Sequence, residues 1–147
     1  MIKLSLLIGF FLSNLVSPMA GLPITIDWKR LTDVKFVRKY NQEVDMHFLY
    51  PTFGPKVLAL SGKEIQIRGY MIPVDPESNM YVLSSQPMSM CFFCGGAGPE
   101  SIMELQFKNK RLSFKTDAIR KVKGRLVLNP SDIEHLNYIL TEAEVVN

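Results

Sequence analysis

Two cysteines separated by two residues are the strongest candidates for chemistry in this sequence. Cys91 and Cys94 are the cysteines of the chain, and a glycine-rich run from Gly95 to Gly98 follows them at once. Two thiols at this spacing can close a disulfide, share a metal ion or exchange electrons with another dithiol. Spacing alone does not choose among these three, so the cellular compartment and the neighbouring residues must decide.

A metal site is the first interpretation. The glycines allow positive φ around a bound ion, and they leave backbone N–H groups that could donate to thiolate sulfur. Two sulfurs do not complete the tetrahedral shell of zinc, so other side chains would have to contribute. The candidates for these further ligands are His47, His135, Glu100 and Asp75.

Copper is the alternative to zinc at the same site. Copper(I) accepts soft thiolates and thioethers, and Met88 and Met90 directly precede Cys91. The sequence leaves both metals open.

A structural disulfide between Cys91 and Cys94 is the second interpretation, because exported thiols meet an oxidising compartment. Chain entropy assigns such a small loop only about 2 kcal/mol, so the bond would tighten a turn more than hold the fold. A thioredoxin-like redox centre is the third interpretation, and it needs the first cysteine at a helix N-terminus. The glycines and Pro99 would break any helix that began there.

Hydrolysis by a cysteine nucleophile is not expected. Such a nucleophile needs a base within hydrogen-bond reach, and neither histidine lies in a recognisable Cys-His signature. The sequence therefore favours a non-enzymatic role.

The N-terminus suggests export. Lys3 precedes an apolar run from Leu4 to Leu12, and the small residues Ser17 and Ala20 follow it. This pattern predicts a signal peptide over residues 1–20. The run is too short to span a hydrocarbon core of about 30 Å as a helix. We expect a periplasmic protein without stable membrane insertion after cleavage.

Composition excludes one class of partner. The net charge of +3 includes Lys3, so residues 21–147 carry +2 (3 − 1), spread along the chain. Such a weak positive charge, without a basic groove, argues against nucleic acid as a partner. The apolar fraction of 47% and the charged fraction of 21% are those of an ordinary globular domain.

Short alternating strands dominate the second half of the sequence. Residues 64–71 alternate apolar and polar side chains until Pro73, a short apolar segment spans residues 81–84, and the alternation returns at residues 103–107 and 122–128. Leu112 and Phe114 resume the pattern of 103–107 after a turn. Ser131 or Asp132 could cap one helical turn, with a strand from about 137 to 145 after it.

These strands predict a mainly β protein, a small five-stranded barrel of the OB type with one or two short helices; the alternative is a β-sandwich. The barrel would occupy residues 61–147, and residues 21–60 would form an N-terminal extension that packs on it. In that extension we expect a short helix near Trp28 and a strand from Val34, and no regular structure over residues 50–55, which contain two prolines and a glycine. The predicted interior comprises Ile65, Ile67, Met71, Val82, Met103, Leu105, Leu126 and Leu128.

Several segments together resemble a known group of proteins. They are the Gly62-Lys63 turn, the Gly69-Tyr70-Met71-Ile72-Pro73 strand end, the Cys91-Phe92-Phe93-Cys94-Gly95 loop and the Gly98-Pro99-Glu100-Ser101 step. The chain resembles an uncharacterised family of small exported bacterial proteins, periplasmic or lipid-anchored, over most of its length after residue 20.

The resemblance implies a periplasmic setting and a link to transport. Members of the family are often encoded beside ABC-type transporter components, some of them connected with metal supply. Many similar proteins begin with a lipid-accepting cysteine, whereas this chain has no cysteine near residue 20. We therefore expect an exported accessory protein that binds a soft or borderline metal, zinc or copper, in support of a membrane transporter component or another periplasmic protein. The rival expectations are an interaction module with a Cys91–Cys94 disulfide and a thiol-disulfide oxidoreductase.

Overall fold

The computed structural model describes residues 21–109 and 112–146. The predicted signal peptide, residues 1–20, lies outside the described residues. The described part contains eight strands, one short α-helix and four 3-10 turns. The strands are β1 (Ile24–Thr25), β2 (Val34–Asn41), β3 (Met46–Phe53), β4 (Glu64–Asp75), β5 (Met80–Ser84), β6 (Ile102–Phe107), β7 (Ala118–Leu128) and β8 (Tyr138–Val146). The helix α1 is Pro55–Leu58, and the 3-10 turns are Trp28–Thr32, Met88–Met90, Phe92–Cys94 and Pro99–Ser101.

Five of the strands close into a barrel. They pair in the order β4-β5-β6-β8-β7, and β7 pairs back to β4. Only the β6–β8 pairing within this ring is parallel. The long strand β4 makes closure possible, because its residues 64–71 pair with β7 while its residues 70–75 pair with β5. The prediction of a mainly β, five-stranded barrel of the OB type is confirmed.

The barrel interior follows the alternation seen in the sequence. The buried residues of the main core include Ile65, Ile67, Met71, Met103, Leu105 and Leu126, all predicted for the interior. Leu128 is only partly buried against this core. Val82 is buried elsewhere, in a second cluster with Ile72 and Ile102. Val82 therefore packs on the opposite face of β5 from Leu83, which belongs to the main core.

Residues 21–60 pack on the barrel at several points. β1 pairs in parallel with β4, and Leu31 and Val57 are fully buried in the main core. The Trp28 indole Nε1–H donates to the carbonyl oxygen of Arg68 at 2.8 Å. These contacts join the N-terminal segment to the first barrel strand.

Strands β2 and β3 form a separate two-stranded antiparallel hairpin. It continues through Pro51 to Phe53, so the prediction that residues 50–55 would be irregular is wrong. Each strand of a two-stranded ribbon has one side without a partner. Proline lacks an N–H donor and is tolerated in such strands because no donor is needed on the unpaired side. Pro55 is likewise tolerated at the first position of α1, where no intrahelical donor is needed.

Two further local predictions differ from the structure. Residues 112–115 form no strand, although Leu112 and Phe114 still pack against the main core. The segment after Pro130 makes turns but no helix. No helix in residues 21–109 or 112–146 is long and apolar enough to cross a membrane.

Candidate functional site

The two cysteines lie at the ends of one tight turn. Phe92–Cys94 is a 3-10 turn with Cys91 as its N-cap, and the Cys94 N–H donates to the Cys91 carbonyl oxygen at 3.1 Å. Gly95 ends the turn in the left-handed region, with φ of 75°. A turn closed in this way holds its first and fourth Cα atoms within about 7 Å, a separation that suits either a disulfide or a shared ion.

The two thiols differ in access to solvent. Cys91 is fully buried and Cys94 is exposed. Phe92 and Phe93 between them are in edge-to-face contact, with ring centroids 5.9 Å apart, and Phe93 is half exposed. The turn thus presents one sulfur at the surface and holds the other beneath it.

The glycines after the turn partly match the expectation. The positive φ of Gly95 fits it. The Gly95 N–H, however, donates to the Phe92 carbonyl oxygen at 2.9 Å, and the Gly96 N–H donates to the Cys91 carbonyl oxygen at 3.1 Å. These two donors stabilise the turn itself and are not available to thiolate sulfur.

A groove of about 380 Å³ lies beside the turn. Three segments form it: residues 47–50 of β3, Phe92 with Pro99 and Ile102, and most of residues 130–137. Its walls are largely apolar, and both histidines of the chain line it. Phe92 therefore links the cysteine turn to the groove that contains the two predicted histidines.

His135 is held by a carboxylate that the sequence analysis did not single out. Its Nδ1 lies 3.0 Å from both carboxylate oxygens of Glu104, and the Leu136 N–H donates to Glu104 as well at 3.3 Å. The hydrogen bond and charge of Glu104 raise the pKa of His135 above its ordinary value, and Asp132 and Glu134 add to the effect. The only sequence signal for Glu104 is its place on the polar face of the alternating strand β6.

The other three predicted ligands each make contacts that do not involve the cysteine sulfurs. His47 on β3 is exposed and contacts the Tyr40 ring edge-on, with centroids 5.2 Å apart. The Glu100 carboxylate lies against the backbone of Gly98, where a side chain would collide with it. Asp75 accepts a hydrogen bond from the Ser78 hydroxyl at 2.6 Å, which lowers the pKa of Asp75. In the described part of the chain, no three His, Cys, Asp or Glu side chains form a group that could hold a metal ion.

Asn129 is a second residue that sequence reasoning missed. Its buried side chain accepts from the Asp132 N–H at 2.9 Å and donates to the carbonyl oxygens of Asp132 at 2.7 Å and His135 at 3.1 Å. These bonds replace the helical cap predicted at Ser131 or Asp132, and they shape the groove wall that contains His135.

Comparison with known proteins supports the fold. No family model matches the chain, and no curated protein matches its sequence. The structure is similar to the crystal structure of a DUF3299 family protein from Pseudomonas aeruginosa PAO1, with a TM-score of 0.54 and 11% sequence identity. The match covers 86% of this chain and 98% of that chain. At this identity the likeness extends to the fold alone.

Proposed function

We propose that this protein is an exported accessory protein that binds a soft or borderline metal ion through Cys91 and Cys94, in support of a transport system. The observation that carries the proposal is the single turn that holds both thiols, one buried and one exposed. A pre-formed turn lowers the entropy cost of bringing two sulfurs to one ion.

The local backbone favours chelation over thiol-disulfide exchange. A catalytic thiol of the thioredoxin kind needs an exposed sulfur at the start of a helix, where the dipole stabilises the thiolate. Here the first cysteine is the buried one, and the turn after it ends within three residues at a left-handed glycine. The geometry therefore gives the redox interpretation no support.

The resemblance to small exported bacterial proteins supports the remainder of the proposal. It connects chains with this cysteine loop to ABC-type transporters and to metal supply. The signal-like N-terminus fits periplasmic delivery, and a partner at the exposed Cys94 would be able to reach the ion.

The test is a metal and thiol count on protein exported natively and purified without chelator. We expect a stoichiometric metal, zinc or copper, and two free thiols once a chelator removes it. The variant Cys91→Ser, Cys94→Ser should carry none. Protein with neither metal nor free thiols would contradict the proposal and would indicate a disulfide between Cys91 and Cys94.

The groove supports a second candidate, an interaction module whose Cys91–Cys94 turn is cross-linked. Its volume and largely apolar walls fall within the range of sites that bind small ligands or side chains of a partner. This candidate predicts that binding of a partner survives the double serine variant but is lost when Phe92 is replaced by alanine.

A further inference from the structure

We infer that the metal site at the cysteine turn is a copper(I) site, with the thioether of Met90, assisted by Met88, as a further ligand. The inference rests on the proposed function, because it requires Cys91 and Cys94 to bind a metal. It adds the identity of the ion and of the ligands that complete its shell.

Four sulfur-bearing side chains occupy one short segment. Met88–Met90 forms a 3-10 turn, and Phe92–Cys94 forms the next. The Cys91 N–H donates to the Met88 carbonyl oxygen at 3.3 Å, so the two turns follow each other without a spacer. The segment from Met88 to Cys94 therefore concentrates soft donors and contains no histidine or carboxylate.

Gly96, two residues after Cys94, lies directly against the backbone of Met90. A side chain at position 96 would collide with the backbone of Met90. A Cβ atom added to Gly96 would lie only 2.7 Å from the Met90 carbonyl carbon and 2.9 Å from the Met90 Cα. The chain after Cys94 thus folds back onto Met90. This close approach explains why a glycine stands two residues after Cys94.

Both methionine side chains are available at the surface. Met90 is 57% exposed and Met88 is 42% exposed, and Cys94 is exposed as well. Methionine commonly fills gaps in a core, and these two do not. An exposed methionine has three rotatable bonds and can therefore turn its thioether toward an ion bound at the turn.

The chemistry of the donors selects the ion. Zinc takes thiolate, imidazole and carboxylate ligands, and the described residues offer no such group of three. Copper(I) takes thiolates and thioethers. Binding releases the proton of each thiol to solvent, and the copper stays in its +1 state throughout.

The test compares metal affinities of reduced, metal-free protein under anaerobic conditions. Copper(I), supplied as its acetonitrile complex, competes against a chromogenic chelator, and zinc(II) is titrated separately. In the variant Met88→Leu, Met90→Leu, we expect copper(I) affinity to fall by roughly tenfold or more, because loss of an outer-shell partner alone costs about that much. Zinc(II) affinity should be unchanged. Leucine preserves the apolar bulk and removes only the sulfur.

The matched control is Met46→Leu, Met80→Leu, since those methionines are 58% and 50% exposed and lie outside the two turns. It should bind copper(I) like the parent. Parental copper(I) affinity in the Met88 and Met90 variant, or an equal loss for both metals, would overturn the inference. The variant Cys91→Ser, Cys94→Ser distinguishes failure of the thioether ligands from failure of the proposed function. If it loses metal while the methionine variant does not, the proposed function stands and only the thioether ligands are wrong. If it keeps parental affinity for both metals, both fail.

Discussion

The imidazole of His135, which lines the groove, pairs with the carboxylate of Glu104 on β6, with Nδ1 3.0 Å from each carboxylate oxygen. The pair fastens the loop of residues 129–137 to barrel strand β6. The hydrogen bond and charge of Glu104 raise the pKa of His135, and Asp132 and Glu134 add to the effect, so the protonated imidazole is favoured at this position.

This pair should make stability depend on pH. The pKa of His135 is raised in the folded protein, so the native state holds the proton more tightly than the unfolded chain does. The contribution is therefore complete below the ordinary value of 6.5 and is lost as the pH rises through the raised value. We expect the parent and Glu104→Gln to differ in unfolding free energy by no more than about 1 kcal/mol near pH 6, because the imidazole is partly exposed. This difference should shrink toward pH 8.5 as His135 loses its proton. A difference that grows with pH would contradict this; proton NMR titration of His135 in both proteins gives the independent check.

Asn129 should control the order of the groove wall. Asn129→Ala leaves the backbone groups it bonds without partners in a buried place, which costs about 1 to 3 kcal/mol for each group that water cannot reach. Hydrogen exchange of residues 130–137 should accelerate, while that of the barrel strands stays close to the parental rate. Asn129→Asp is the matched variant, since it keeps the acceptor for the Asp132 N–H but loses the donors to the carbonyl oxygens of Asp132, His135 and Leu136. We expect an intermediate effect, and equal exchange in all three proteins would show that the side chain does not hold the loop.

Tyr138 should contribute more to stability through its hydroxyl than Tyr81 does. The Tyr138 hydroxyl donates to the Leu31 carbonyl oxygen at 2.7 Å, and burial raises its pKa far above the ordinary range. Tyr138→Phe would leave that carbonyl unpaired in the core, at a cost of about 1 to 3 kcal/mol in denaturant unfolding. The hydroxyl of Tyr81 lies 3.5 Å from its acceptor, so Tyr81→Phe should cost markedly less. The reverse order would show that residues 21–60 are not held to the barrel by this bond.

The two cysteines should react with alkylating reagents at different rates. In reduced, metal-free protein we expect Cys94 to be labelled promptly and Cys91 far more slowly, because Cys91 is fully buried. Mass spectrometry of the single variants Cys91→Ser and Cys94→Ser assigns each rate. Prompt labelling of both thiols in the folded state would mean that the turn opens readily, which would weaken the case for a pre-formed chelate.

The sequence predicted the barrel well because its signal is local and repeated. Alternation in residues 64–71, 103–107 and 122–128 assigns one face of each strand to the interior, and burial of Ile65, Ile67 and Leu126 follows from it. The prediction that Val82 fills the barrel interior is wrong, because a short run of consecutive apolar residues in β5 does not show which side chain faces which core. The prediction of irregular structure around Pro51 is wrong because a strand tolerates proline only when the pairing leaves one of its sides free, and composition does not reveal the pairing.

The candidate site could be predicted only in part. Cysteine spacing identifies the turn, but the pairing of Glu104 with His135 joins residues on different elements, and no pattern in the sequence links them. Asn129 likewise acts through backbone groups several residues away, so its role depends on the loop conformation that it helps to create. Both histidines were proposed as partners of the sulfurs, and the structure places them on the neighbouring groove.

The hairpin β2–β3 has a consequence for the behaviour of the protein in concentrated solution. Each of its strands has one ladder partner in the described residues, so rows of amide and carbonyl groups remain open to recruitment by another chain. Such a contact would bury apolar surface of Val37, Leu49 and Met46, which are exposed. Lys35 and Lys39 are exposed on β2, and Pro51 lies within β3. Lysine and proline on an unpaired strand disfavour pairing with a second copy, so the residue that interrupts the local pattern is also expected to limit self-association.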